Sequence, residues 1–207
     1  IGLFSSTMHL GKPLRAWRAF SQWRSSWLSR EGVLAVACFI PAVLWIAQAY
    51  FNFDYVGTSI LAIVLALLSI ATVICTAMIY ASLKPIPAWR HAYVVPVYLL
   101  FSLLTGGVLG AVITSMQSGN TSEYLLFGFI LLASLLGVLK KRYWKAIDSQ
   151  VLPSRASALG LKQDQVVSVF ERPHTEANYL TTEMGFVLAR KHSRKLRMIA
   201  TILFSWL

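Results

Sequence analysis

The chain has 207 residues, 57% of them hydrophobic and only 13% charged, with a mean hydropathy of +0.62 and a formal charge of +11. Soluble domains sit near about 45–50% apolar with roughly a quarter of their residues charged, so an ordinary soluble domain is excluded. On a soluble chain the basic surplus would suggest a nucleic acid; here the basic residues fall between apolar runs, and no nucleic-acid partner is expected.

Taken in chain order, residues 1–10 read as the tail of an apolar segment that starts outside the sequence. Ser6–Glu31 (STMHLGKPLRAWRAFSQWRSSWLSRE) follows as a basic and aromatic stretch where one span ends and the next begins. Four complete spans are then predicted over residues 32–51, 56–83, 93–116 and 124–139, since a bilayer crossing takes roughly 20 apolar residues. The fourth is short and needs an extension at one end. Pro41 and Pro96 lie inside spans, which membrane helices tolerate. Gly106 and Gly110 form a GxxxG pair at which a neighbouring helix is expected to approach closely. Tyr50, Tyr55, Trp89, Tyr93, Tyr124, Tyr143 and Trp144 gather near span ends, as an interfacial aromatic belt does.

Residues 140–197 form a long basic extramembrane segment. Within it Ala146–Ala158 reads as irregular and Gln165–Phe170 as a short strand. Thr175 is placed to cap a helix with Glu176 in its first turn, running through Arg190–Arg197 either along the membrane surface or against a soluble partner. Residues 198–207 open another apolar run. The fold class expected is all-α, a multi-pass transmembrane helix bundle in a single membrane domain over 1–207, with two partial spans at its ends.

Charge supports this topology independently. Alternating loops share a side, and that rule puts all nineteen Lys and Arg on one face and none on the other. With the acidic residues added, the faces carry about +13 and −2. By the positive-inside rule the basic face is expected in the cytoplasm; a face that docks an acidic soluble subunit would be basic as well.

The residues also restrict the chemistry. His9, His91, His174 and His192 all lie at span edges or in basic loops, so no pair of haem ligands projects from the spans. Cys38 and Cys75, each inside an apolar run, cannot supply the thiolates of an iron–sulfur cluster and read as small buried hydrophobes. No phosphate loop, nucleophile elbow or metal-ligand spacing appears. A redox centre therefore belongs to a partner or to a diffusible molecule. His9 at the membrane edge and Glu31 just before Gly32 are the candidate proton acceptors, since an ionisable group held at membrane depth is costly and suggests function. Glu31 equally suits the positive end of a helix dipole. Arg15 and Arg18, three apart, would share a helix face, to orient Glu31 or a quinone carbonyl or to meet anionic headgroups.

HLGKPLRAW (His9–Trp17) and SSWLSRE (Ser25–Glu31), with LKPIPAW (Leu83–Trp89) and PHTEANYLTTEMGFVLARKHSRKLR (Pro173–Arg197) further on, resemble the membrane-anchor subunit of dimethyl sulfoxide reductase-type complexes. The resemblance covers most of the chain. It implies an eight-span, haem-free anchor of an anaerobic respiratory reductase in the prokaryotic inner membrane. Such an anchor holds a molybdopterin catalytic subunit and a four-cluster iron–sulfur subunit and oxidises menaquinol. The family's quinol-site histidine falls on His9 and its essential glutamate on Glu31; Arg30 stands where some members carry a polar amide. The expected function is thus to oxidise quinol near His9, Arg15, Arg18 and Glu31 and pass electrons to the iron–sulfur partner. A purely structural anchor is the first rival. A secondary transporter is the second, and the spans lack the mid-depth charge that transporters place on broken helices.

Overall fold

The computed structural model describes residues 13–51, 55–84, 86, 88–119, 123–150, 154–162, 165–168, 170 and 191–205. Every described element is helical. A 3-10 helix, Pro13–Phe20, leads through a turn into α1 (Trp27–Ala37) and α2 (Phe39–Phe51). Then come α3 (Tyr55–Ala81), α4 (Val94–Ser118), α5 (Glu123–Asp148), the single turn α6 (Arg155–Ala158) and α7 (Ser193–Ser205). Four stretches are long and apolar enough to cross a membrane: α1 with α2, α3, α4 and α5. At about 1.5 Å per residue a helix of that length exceeds the roughly 30 Å hydrocarbon thickness. Their outer faces are apolar, with Ile46 63%, Leu67 62% and Phe127 68% exposed. In water such surface would be heavily penalised, whereas lipid tails solvate it at no cost.

The spans match the expected ones with shifted ends. The first begins five residues earlier than expected, at Trp27, because Ser26 caps it: its backbone is extended and its hydroxyl accepts from the Ser29 N–H. α1 and α2 form one span interrupted at Cys38. Pro41 has no N–H to give the Ala37 carbonyl, so the helix is broken there rather than ended. The fourth span supplies the extension that 124–139 needed: α5 continues to Asp148 through Lys140, Lys141, Arg142 and Lys145. These good helix formers let the turns run on past the last apolar residue, so Ala146–Asp148 is helical rather than irregular.

Two further expectations are corrected. The described residues of Gln165–Phe170 form no strand, and no described segment offers an edge for them to pair with. Among the described residues Gly106 and Gly110 are not a close-packing face, for a Cβ at either would meet nothing within 4 Å. It is Gly107, one position round the helix, that is closely approached: a Cβ there would lie 2.8 Å from Phe129 Cε1 of α5. The helix proposed from Thr175 lies outside the described residues up to Arg190.

The chain divides into two compact units, residues 1–132 and 133–207. In the first, α3 is the central helix, packed against α1, α2 and α4. Its core is small, with Cys75, Ala77, Val94, Val97 and Leu104 buried. In the second, α7 reaches the C-terminal half of α5 through side chains: Phe204 lies over Gly137, and Arg197 makes a bidentate ion pair with Asp148 at 2.6 and 3.0 Å while stacking on Trp144. Both ends of the pair are solvent-accessible, so it contributes no more than about 1 kcal/mol.

The segment before the first span is tied down by Phe20, Ser29 and Arg30. Ser29, a buried polar residue, donates its hydroxyl to the Ala19 carbonyl, and the Phe20 ring covers Gly32. Arg30 donates from Nε to the Trp23 carbonyl at 2.9 Å and from a terminal nitrogen to the Arg24 carbonyl at 2.6 Å, with its guanidinium 4.3 Å from the Trp27 ring centre. Hydrogen bonds from a charged donor are worth about 1.5–3 kcal/mol. Arg30→Ala is therefore expected to speed amide hydrogen exchange across Ser21–Ser26 by at least about tenfold. Unchanged exchange would show that Ser29 and Phe20 hold the turn without it.

Candidate functional site

The antiparallel contact of α1 with α3 brings Glu31, in the first turns of α1, beside Thr76, near the end of α3. The Thr76 hydroxyl donates to Glu31 Oε1 at 2.7 Å. Glu31 is half-buried. Tyr98, on α4, stacks on Tyr80 of α3 at 6.0 Å, and Tyr80 meets Trp89 edge-on at 5.2 Å. Trp89, in the connection from α3 to α4, thus lies against the end of α3. His91 in the same connection accepts the Tyr93 N–H on Nδ1.

Two turns further along α1, Cys38 faces Thr72 and Ser69 of α3 at 3.8 and 4.0 Å. A seam of small polar groups therefore lines the α1–α3 contact from Glu31 inward. Thr72 and Ser69 direct their own protons to backbone carbonyls one turn back, which satisfies them where no water is at hand.

Within the first unit every described Lys and Arg lies at this end: Arg15, Arg18, Arg24, Arg30, Lys84 and Arg90. The far end of the same helices has a different character, a groove of about 470 Å³ lined by Leu44, Ala47, Gln48, Gly57, Ile60 and Leu61, with no ionisable group. A half-buried carboxylate with one hydroxyl donor on it, at the basic end of the bundle, is chemically able to accept a proton. Among the described residues no three His, Cys, Asp or Glu side chains converge as a metal site would need.

The sequence-predicted residues fare differently. Glu31 is at the helix contact. Arg15 and Arg18 share the 3-10 helix, where residues three apart eclipse, but both are exposed and neither pairs with Glu31 among the described residues. His9 lies outside the described residues. Thr76, Tyr80 and Tyr98 were not anticipated. For Thr76 a signal existed: Ser69, Thr72 and Thr76 repeat at helical spacing in an otherwise apolar span. Nothing local marks Tyr98, which joins the site only through the packing of α4.

Comparison with known proteins adds an independent line. The family model described as DMSO reductase anchor subunit (DmsC) matches residues 1–207. A subunit of the sulfite dehydrogenase of Allochromatium vinosum is 35% identical over 126 residues, 53% of this chain and 37% of that protein. The anaerobic dimethyl sulfoxide reductase chain YnfH of Escherichia coli is 26% identical over 142 residues, 67% of this chain and 50% of that protein. The matched stretches thus span half or less of either relative. No solved structure matches.

Proposed function

The chain belongs to the DMSO reductase anchor subunit family, and from that premise we propose that it binds and oxidises quinol, menaquinol in the first instance, and passes the electrons to an iron–sulfur partner. Oxidation of a quinol to a quinone releases two electrons and two protons. The Glu31 carboxylate takes one proton from a quinol hydroxyl, and His9, which precedes Glu31 by 22 residues in sequence, takes the other. Both electrons go to an iron–sulfur cluster of a four-cluster subunit, which relays them to a molybdopterin catalytic subunit. The observation that carries this reading is the placement of Glu31: a carboxylate half-buried between two spans, at the basic end of the bundle and with a hydroxyl donor already on it.

The remaining groups fit the same scheme. Tyr80, Trp89 and Tyr98 offer aromatic faces for a quinone ring. Arg15, Arg18 and Arg24, turned outward, suit lipid phosphates or an acidic docking surface. By the positive-inside rule this end faces the cytoplasm of a prokaryotic inner membrane.

A fluorescent quinol analogue titrated into membranes holding the assembled complex tests the reading. Saturable binding that weakens by at least about tenfold in Glu31→Gln is expected. Binding that is absent, or indifferent to Glu31, would leave a structural anchor with its quinol chemistry elsewhere.

A further inference from the structure

The Thr76 hydroxyl lies within hydrogen-bond reach of two acceptors, Glu31 Oε1 at 2.7 Å and the Thr72 carbonyl, one turn back on its own helix, at 3.0 Å. A hydroxyl has a single proton to donate and two lone pairs with which to accept, so it cannot serve both acceptors at once. Which one it serves depends on the charge of Glu31. An ionised carboxylate is the stronger acceptor and takes the Thr76 proton. Once Glu31 has gained a proton it becomes a donor itself. Its O–H then points at the oxygen of Thr76, and Thr76 turns its own proton to the Thr72 carbonyl. Both arrangements leave every group satisfied, and they differ by rotation about one side-chain bond.

We propose that Thr76 is the positioning residue of the Glu31 proton acceptor, its hydroxyl following the proton by exchanging a bond donated to the carboxylate for one donated to the Thr72 carbonyl. This rests on the quinol-oxidising reading above and extends it to a residue that need not touch the quinol. The surroundings fit the role. Thr76 projects from the central helix into the α1–α3 contact, where Thr72 and Ser69 are committed to their own backbone carbonyls and Cys38 packs beside them. Among the described residues no ion pair competes for Glu31. The carboxylate that must take up and give back a proton is therefore held by a neutral partner able to bond both of its forms. A fixed cation in that place would hold only the charged form and oppose protonation.

The test uses the assembled complex in membranes, with quinol-linked turnover measured beside turnover driven by a soluble reductant that feeds the partner directly. Thr76→Val keeps the shape of the side chain and removes the hydroxyl. It is expected to lower quinol-linked kcat by about ten- to a hundredfold, the span of a charge-assisted hydrogen bond, with little change in KM and none in the directly driven rate. Thr76→Ser, which restores the hydroxyl, is expected to recover most of the loss. In quinol-induced infrared difference spectra the C=O stretch of protonated Glu31, identified by its disappearance in Glu31→Gln, should move to higher wavenumber in Thr76→Val as its hydrogen bond is lost. Wild-type kcat in Thr76→Val while Glu31→Gln is inactive would overturn the Thr76 assignment and leave the quinol reading standing. A loss in Thr76→Val that Thr76→Ser does not recover would make Thr76 a packing residue only and overturn the assignment too. Full activity in Glu31→Gln would overturn both.

Discussion

Glu31→Gln is expected to reduce quinol-linked turnover by about 10²–10⁴-fold, the usual contribution of a positioned general base, while the complex assembles and a soluble reductant still drives it at the wild-type rate. The amide matches the carboxylate in size and can still accept the Thr76 hydroxyl on its oxygen, so the α1–α3 contact at Glu31 and Thr76 is kept. What it lacks is basicity. Binding and chemistry are thereby separated: an effect on kcat marks a group acting in the transition state, whereas a rise in KM alone marks one that only holds the substrate. Parallel steady-state assays with the two electron donors read both. If turnover with quinol stays within twofold of wild type, Glu31 takes no part in the chemistry; α1 begins at Trp27, so Glu31 is not a first-turn residue either, and its half-buried position needs another explanation.

The second large effect is expected at Gly107→Leu. The Phe129 ring occupies the space that any side chain at 107 would enter, with Cε1 2.8 Å from the position of a Cβ. A leucine must push the ring aside. Overpacking of this kind costs about 1–3 kcal/mol, enough to lower the thermal midpoint of the detergent-solubilised protein by several degrees. Gly106→Leu and Gly110→Leu add their side chains to space that no described residue fills and are expected to cost less than about 0.5 kcal/mol, as surface substitutions usually do. Unfolding of the three variants side by side decides the matter. Equal losses at all three would mean that the Gly106–Gly110 face meets another helix in the assembled protein, as the GxxxG pattern by itself would suggest.

Sequence and tertiary structure divide the account of this protein along a physical line. Span number, span order and the concentration of basic residues in alternate loops were legible in the sequence, because membrane insertion depends on local quantities: the length of an apolar run and the charge at its ends. Glu31 stood out for the same reason, as a carboxylate at the mouth of a span. Element boundaries were less legible. Ser26 as a cap moved one end by five residues, and α5 ran on to Asp148 because helix propensity does not stop where hydrophobicity does. Which residues accompany Glu31 was decided only by packing. Lipid is as apolar as leucine, so hydropathy does not say which face of α1 meets which face of α3 or α4. The partnership of Glu31 with Thr76, the stack of Tyr98 on Tyr80 and the choice of Gly107 over Gly106 follow from side-chain fit between segments up to 45 residues apart, information that no window of local sequence contains.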